Sequence, residues 1–288
     1  MTRRQPACTP GGGVRVRVGV LGWPVAHSRS PAMHNAALAA VGLHDWHYQR
    51  LPVPPALFEE TVRALHLVGF AGANVTIPHK RAALALADSS SRAASEIGAA
   101  NTLTFARDGT IAAENTDAPG LLAALGGLGE LPARPRALVL GAGGSARAAV
   151  WALRESGAEV AIWNRTRERS RALADELGVR AVDAPEPAEL LVNCTSVGLH
   201  APDRVERSAS HDLPLNQLGM TLDQVGEYAN VVDLVYSSGT TQLLAAARER
   251  GARTVDGLEV LVAQGALSFE LWTGMRPPLE LMRSAARA

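Results

Sequence analysis

The apolar and polar positions of this chain alternate in two rhythms that succeed one another from about residue 14 onward. VRVRVGVLG has the two-residue period of a strand and runs into Gly22, which marks a loop. SPAMHNAALAAVG then spaces its apolar residues as a helix does, with Ser30 as a candidate N-cap, Pro31 at the first helical position and Gly42 as the stop. DWHYQRLPV predicts a second strand, PALFEETVRALHLVG a second helix, and GFAGANVTI a third strand closed by Pro78. ANTLTFARDGTIAAENTD reads as two short strands about an Asp-Gly turn. Strands and helices alternating in this way predict an α/β fold.

The second half repeats the theme more regularly. PGLLAALGGLGEL is helical, and PARPR after it marks a boundary. ALVLGAGGSARAAVWALRESGAEVAIWNRT is a strand, glycine turn, helix and strand within about thirty residues, the length of a βαβ unit. Helix RERSRALADELG, strand LLVNCTS, an irregular polar stretch at 200–224, strand ANVVDLVY and helix TQLLAAARERGA follow, and the chain closes with two helices. The domains expected are a substrate-binding domain over 14–118 and a dinucleotide-binding domain over 119–256. A glycine-ending tail over 1–13 is expected to be flexible.

Composition narrows the function classes. Hydrophobic residues make up 47% of the 288 positions and charged residues 19%, so a sizeable core is affordable. A net charge of zero with acids and bases interleaved offers nothing to a nucleic acid or an anionic membrane. Cys8 and Cys194 stand far apart with no metal-type spacing, so no metal is expected and a reducing compartment suits the chain. MTRRQPACTPGGG lacks an apolar segment, and no apolar run approaches the roughly 20 residues of a membrane span, so the expectation is a cytoplasmic protein. One feature of composition bears on chemistry. Of the 28 basic residues only Lys80 is lysine; the other 27 are arginine.

LVLGAGGSARAA places Gly141, Gly143 and Ala146 in the G-x-G-x-x-G/A pattern, directly after an apolar strand and before a helix. The first glycine permits a tight turn, the second lets backbone approach a pyrophosphate, and the small third residue lets helix and strand pack closely. Ala142, Gly144 and Ser145 complete the turn whose free N–H groups would hold phosphate. Glycine turns in other α/β proteins give the same letters, but here strand and helix flank the motif as nucleotide binding requires. At the end of the next strand an NAD site usually offers a carboxylate to the ribose hydroxyls. This chain offers Asn164, Arg165, Thr166 and, one turn on, Arg169. Arginine clamps a 2′-phosphate that a carboxylate would repel, so NADP is the expected cofactor.

In the first half, polar residues collect after strands: Ser28 and Ser30 in HSRS, Asn74, Thr76 and Lys80 in NVTIPHK, Asn101 and Thr102 in ANT, Asn115 and Asp117 in ENTD. Ligands of open α/β sheets bind outside the carboxyl ends of the strands. Hydroxyls, amides, one ammonium and one carboxylate suit a small polyhydroxylated molecule. Any single Ser, Thr or Asn can equally be a cap or a turn, and for Ser30 capping has at least as strong a claim as binding from local sequence alone.

GWPVAHSRSPAMHNAA, GANVTIPHK, GAANTL, ENTDAPG, LGAGGSARAA, NRT, VNCTSVG, DLVY…TQLL and DGLEVLVAQGALSFELWTG occur in this order, and the chain resembles the shikimate dehydrogenases from about residue 17 to 275. The resemblance implies an α/β protein of two domains: an N-terminal substrate domain with a mixed sheet, joined by C-terminal helices over 257–288, and a Rossmann-type NADP domain. The active site would lie in the cleft between them. It implies NADP-linked interconversion of 3-dehydroshikimate and shikimate on the path to aromatic amino acids. The catalytic pair falls on Lys80 and Asp117. The serines that grip the substrate carboxylate fall on Ser28 and Ser30, and the other substrate contacts on Asn74, Thr76, Asn101, Tyr236 and Gln264. Thr195, Ser196 and Gly257 match positions beside the nicotinamide. A small-molecule substrate is the only partner implied, for a monomer or homodimer.

Lysine suits the reaction because an ammonium can stabilise a forming alkoxide and hand it a proton, which arginine effectively cannot. The chain departs from the family pattern at Ala113, where glycine is usual, at Ser238, where proline is usual, and at Glu259–Val260, where Gly-Met is common. Three alternatives stand beside this reading: a quinate/shikimate dehydrogenase using quinate or NAD, from which HSRS and NRTRER lean away; another two-domain enzyme with a catalytic lysine such as a methylenetetrahydrofolate dehydrogenase; and a non-catalytic sensor of NADP and a carbocyclic ligand, for which only Glu259 leaves room. HSRSP and NTD argue against the second, and intact Lys80 and Asp117 against the third.

Overall fold

The computed structural model describes residues 15–199, 213–236 and 239–288. The expected tail over 1–13, Cys8 and Ser238 lie outside the described residues, as does the start of the stretch at 200–224. The chain divides into two compact units, Met1–Thr116 with Leu261–Ala288, and Asp117–Val260.

Unit 1 begins with β1 (Val16–Gly22), α1 (Ser30–Ala40), β2 (Trp46–Pro52), α2 (Phe58–Ala64), β3 (Phe70–Val75), α3 (Lys80–Ala85), β4 (Ser89–Ser90), α4 (Arg92–Ile97), β5 (Thr102–Phe105) and β6 (Ile111–Glu114). These strands form one mixed sheet in the order β2-β1-β3-β5-β6-β4. β1 runs parallel to β2 and β3, and the β5–β6 hairpin runs antiparallel to β3. Register sets Asn74 beside Thr102, and Thr102 beside Glu114, so polar residues from three strands stand at one level. Beneath them Leu21, Val62, Phe70, Ala73, Leu103 and Ile111 share a core.

Two expectations change here. The second helix is not continuous: 3₁₀ turns at Pro55–Leu57 and Leu65–Val68 bracket α2. Leu67 and Val68 point outward, so no apolar stripe supports a longer helix. Ser30 does not cap α1. Arg29 occupies the N-cap position, without a side-chain capping bond, and Ser30 is the first helical residue.

Unit 2 comprises α5 (Asp117–Leu125), β7 (Arg136–Leu140), α6 (Gly144–Glu155), β8 (Glu159–Trp163), α7 (Arg167–Leu177), β9 (Arg180–Ala181), β10 (Leu190–Asn193), α8 (Leu213–Gln217), α9 (Leu222–Val225), β11 (Asn230–Asp233), α10 (Gln242–Glu249) and β12 (Arg253–Val255). Every strand pair is parallel, in the order β9-β8-β7-β10-β11-β12. This is the 3-2-1-4-5-6 order of the doubly wound dinucleotide fold. Separate apolar clusters cover the two faces, one around Val139, Val150, Ile162 and Val192, the other around Leu138, Leu140, Leu191 and Leu244. Burial on both faces is why its central strands read as unbroken apolar runs. The irregular expectation for 200–224 is corrected over its described part, where α8 and α9 form; a capping box between Thr221 and Gln224 starts α9.

The chain ends with α11 (Gly257–Thr273) and α12 (Leu279–Arg287). From Leu261 onward α11 belongs to unit 1. The Trp272 indole donates to the Leu103 carbonyl at 3.0 Å. A Cβ on Gly72 would stand 2.1 Å from the Trp272 indole nitrogen, so the glycine of FAGANV is required for this docking. Gly265 likewise makes room for Met33, and α12 packs on α1. Among the described residues no helix is long and apolar enough to cross a membrane.

Candidate active site

Each sheet has a point where strand order reverses, and the expected site residues gather there. In unit 1 it falls between β1 and β3. Ser28 in the loop after β1 and Ser30 at the start of α1 are both buried, and β3 carries buried Asn74 one residue before its end, with Thr76 just beyond it. Thr76 N–H donates to Leu21 O at 2.9 Å, and Trp23 N–H donates to Ile77 O at 2.9 Å, so the two strand ends continue side by side. A Cβ on Gly22 would meet the Thr76 methyl at 2.5 Å, which explains a glycine at the strand exit. Ser30 N–H donates to the Ser28 hydroxyl at 3.3 Å, and the Arg50 guanidinium donates twice to Ser28 O, at 3.1 and 2.7 Å. Ser30 itself makes no helix cap and is buried at the start of α1.

Beside the loop lies a buried amide and hydroxyl network. Asn74 accepts from the Tyr48 hydroxyl at 2.8 Å and donates to Asn101 O, the Thr102 hydroxyl and the Ser268 hydroxyl. Asn101 donates to the Gln264 side-chain oxygen at 3.1 Å and accepts from Thr116 N–H at 2.7 Å. Gln264 donates in turn to Leu261 O at 2.8 Å, one turn back along α11. Three expected substrate residues, Asn74, Asn101 and Gln264, therefore come together, each oriented by protein partners. Both ends of the Asn74 amide are taken up inside this network. Tyr48 is itself stacked on His34, ring centroids 4.3 Å apart and planes within 2°.

Lys80 opens α3 and is 8% exposed. A cation at a helix N-terminus opposes the helix dipole, and burial costs it hydration, so lysine stands here at a cost to folding. Its carbonyl accepts from Ala100 N–H at 2.9 Å, tying the start of α3 to the residue before Asn101. Asp117 is assigned to unit 2, as the first residue of α5, directly after Thr116. A cavity of about 440 Å³ lined by Phe58, Arg63, Pro78, His79 and Leu86, among others, contains none of the expected site residues.

In unit 2 strand order reverses between β7 and β10. Gly141 has φ +113°, open to glycine and strained for other residues, and an added Cβ would press on the Cys194 carbonyl at 3.2 Å. Gly143 caps α6 with extended backbone, and nothing lies within 4 Å of where its Cβ would be. That open space before the first N–H groups of a twelve-residue helix, which Gly144 and Ser145 begin, fits a phosphate. Ala146 is fully buried under β7, as close packing demands.

At the end of β8 Asn164 donates to Thr166 O at 2.8 Å, shaping the turn into α7. Arg165 and Arg169 are exposed there, whereas Arg167 and Arg171 lie 3.7 and 3.2 Å from Asp183. Thr195 and exposed Ser196 follow β10, and Tyr236 follows β11. A Cβ on Gly257 would stand 2.5 Å from Leu234 O, so Gly257 brings the start of α11 against the segment leading to Tyr236. The residues present fit an NADP molecule: open backbone for the pyrophosphate, uncommitted guanidinium groups for a 2′-phosphate, and no acid in the ribose position.

Comparison with known proteins gives the same picture. Residues 20–103 match the family model for the shikimate dehydrogenase substrate binding domain, 129–196 that for shikimate/quinate 5-dehydrogenase, and 257–287 that for the shikimate 5′-dehydrogenase C-terminal domain. A shikimate dehydrogenase (NADP(+)) of Thermus thermophilus is 47% identical over 278 residues, covering 94% of this chain and 98% of the relative. The chain belongs to the shikimate dehydrogenase family. The crystal structure of shikimate 5-dehydrogenase from another strain of T. thermophilus, in complex with NADP(H) and shikimate, is 43% identical with a TM-score of 0.81, covering 94% of this chain and 98% of that one. The enzyme from Aquifex aeolicus is 33% identical with a TM-score of 0.85, covering 97% and 100%.

The departures from the shikimate dehydrogenase pattern that fall on described residues are structurally mild. Ala113 is buried on β6, where the backbone has no need of glycine. Val260 joins the unit 2 core, and Glu259 donates its N–H to the Asp256 side chain at 3.0 Å in the first turn of α11. Sequence reasoning passed over Tyr48, Thr116, Ser268 and Asp233, which hold the recognised positions in place. Ser268 had a signal: it lies four residues after Gln264, on the same helix face. Tyr48 had none, because an inward hydroxyl looks like any aromatic in an alternating strand.

Proposed function

We propose that this protein catalyses the reversible NADPH-dependent reduction of 3-dehydroshikimate to shikimate, with Lys80 and Asp117 at the reacting carbon. The observation that carries this reading is the position of Lys80. The chain's one lysine is buried at the head of α3, next to a pre-oriented amide network. NADPH bound along the carboxyl ends of β7, β8 and β10 supplies the hydride. Lys80 stabilises the oxygen of the reacting ketone as it becomes an alkoxide and gives it a proton. Asp117 completes the catalytic pair, its carboxylate accepting a hydrogen bond from the substrate hydroxyl next to the reacting carbon. The hydroxyls of Ser28 and Ser30 donate to the substrate carboxylate, and Asn101, Thr76, Gln264 and Tyr236 serve its remaining polar groups. Asn74 acts from behind, holding Asn101 and Thr102. In unit 2, Arg165 and Arg169 grip the 2′-phosphate, while Thr195, Ser196 and Gly257 line the nicotinamide side.

A steady-state assay of shikimate and quinate, each with NADP and with NAD, tests the proposal. Turnover should be greatest with shikimate and NADP. Preference for quinate or NAD would reassign the substrate, and absence of turnover with every pair would leave a binding protein. The reading implies a cytoplasmic enzyme working as a monomer or homodimer, a choice that sedimentation of the purified protein decides.

A further inference from the structure

Asp233 is 1% exposed, at the carboxyl end of β11, and is given no part in the reaction described above. A buried carboxylate is costly unless hydrogen-bonded donors surround it, and here three of them do. Asn193 Nδ2 donates to Oδ1 at 2.8 Å, Val235 N–H donates to the same oxygen at 3.1 Å, and the Thr241 hydroxyl donates to Oδ2 at 2.6 Å. Each donor belongs to a different part of unit 2. Asn193 ends β10, Val235 precedes Tyr236, and Thr241 is the N-cap of α10, its hydroxyl accepting Leu244 N–H.

The bond to Asn193 matters most. A carboxylate only accepts hydrogen bonds, so it requires the Asn193 amide to present its nitrogen to Asp233 and its oxygen the other way. That oxygen then accepts Thr195 N–H at 3.0 Å and the Thr195 hydroxyl at 2.8 Å, and Thr195 Oγ1 accepts Val197 N–H at 3.2 Å. Across the strands, Leu234 N–H donates to Asn193 O at 3.0 Å, and Gly257 abuts the Leu234 carbonyl. The loop bearing Thr195 and Ser196 and the loop bearing Tyr236 are thus joined through one side chain, with Gly257 packed against the backbone between them. Burial raises the Asp233 pKa to about 6, while its three donors pull the other way, so near neutral pH the acceptor-only form prevails.

We propose that Asp233 is a positioning residue for the nicotinamide half of the cofactor site, acting through the orientation of Asn193. It touches no ligand itself. It fixes the amide that holds the Thr195–Ser196 loop and anchors the start of the Tyr236 loop, leaving the adenosine end, formed after β8, independent of it. The inference rests on the reading of Thr195, Ser196 and Tyr236 as cofactor and substrate positions.

The test compares the affinities of the full-length protein for NADPH and for adenosine 2′,5′-bisphosphate, which lacks the nicotinamide half. Asp233→Ala should weaken NADPH about tenfold, the scale of one or two lost hydrogen bonds, and leave the bisphosphate within about twofold. Asp233→Asn should stay within about threefold of the wild type for both ligands. Its oxygen can still accept from Asn193 and Val235, and its NH2 can donate to Thr241. Asn193→Ala should move NADPH in the same direction as Asp233→Ala, and with Asp233→Asn it decides the matter if Asp233→Ala does not fold. Equal weakening of both ligands, no weakening of either, or an Asn variant as impaired as the Ala variant would each overturn the proposal. A wild type that binds NADPH without turning over shikimate would sink the functional reading, while the affinity ratio would still judge this one. A wild type with no affinity for NADPH would overturn both.

Discussion

The two units solve recognition in opposite ways. Unit 1 builds its site from side chains: Asn74, Asn101, Thr102, Thr116, Gln264 and Ser268 are buried and bonded to one another before any ligand arrives. Unit 2 builds its site from backbone and open space, with Gly141 in a conformation open to glycine, open space where a Gly143 Cβ would stand, and arginines exposed at the rim. The difference follows from the ligands expected. A small polyol carries many hydroxyls and one carboxylate, and discrimination requires each to meet a fixed partner once water is gone. A dinucleotide carries most of its recognition in phosphates, which main-chain N–H groups at a helix start can bind without any particular side chain. Unit 1 is therefore sensitive to what a side chain is, and unit 2 to whether one is present.

Substitutions can break that contrast. The largest effect is expected at Lys80. Lys80→Arg keeps the charge but loses the transferable proton, and kcat should fall by ~1000-fold, with NADPH affinity unchanged in a fluorescence titration. Next comes the double change Arg165→Ala with Arg169→Ala, which should lower kcat/KM for NADPH by ~100-fold while leaving that for NADH unchanged. Gly143→Ala sharpens the comparison further. Its φ of −91° suits alanine and the new Cβ meets no protein atom, so Tm should hold. KM for NADPH should nonetheless rise on the order of tenfold, about 1.4 kcal/mol, because the methyl takes the space left for phosphate. The mirror experiment is Asn101→Ala. It strands Gln264 and Thr116, so it should lower Tm by ~4–10 °C and raise KM for shikimate, with NADPH affinity unaffected.

The smallest effect is in pH, where the units should diverge. His34 is fully buried, its ring nitrogens have no hydrogen-bond partner, and desolvation lowers its pKa to about 3. Below pH 6.5 the unfolded chain takes up a proton there that the native state refuses, so unit 1 loses stability as pH falls toward 3. Asp233 has its pKa raised to about 6, so between pH 6 and its unfolded value of 3.8 the native state holds a proton that the unfolded chain gives up. Unit 2 gains stability over that window. Hydrogen exchange at about pH 7.5 and about pH 5 should show protection falling around α1 and β2 and rising around β10 and β11. Parallel changes in both units would sink the assignment.

How far the sequence discloses all this also differs between the units. Unit 2 is legible because a parallel sheet buried on both faces writes continuous apolar runs, and because the glycine turn is a local motif. Its strands β9 and β12, two and three residues long, and its helices α8 and α9, five and four residues long, are too short to leave a period. In unit 1 the strand ends with their polar clusters stand out, while the network joining them does not. Tyr48 reaches Asn74 across 26 positions, and Ser268 reaches it across 194. No window of sequence contains such a bond. Helix breaks such as that after Ala64 depend on which way Leu67 and Val68 face, which is a tertiary matter.

The docking of Trp272 against Gly72 has a consequence for how the chain comes into being. Residues Asp117–Val260 form a contiguous stretch that can close into unit 2 as soon as it leaves the ribosome. Unit 1, though its strands are made first, waits for Gln264, Ser268 and Trp272, which are made only after the whole of unit 2. Until then Asn74 and Asn101 lack acceptors that the finished fold provides, and Gly72 faces an empty slot. The half of the enzyme that begins first is the half that finishes last, and a chain cut short before residue 264 would carry a complete cofactor fold beside an unfinished substrate domain.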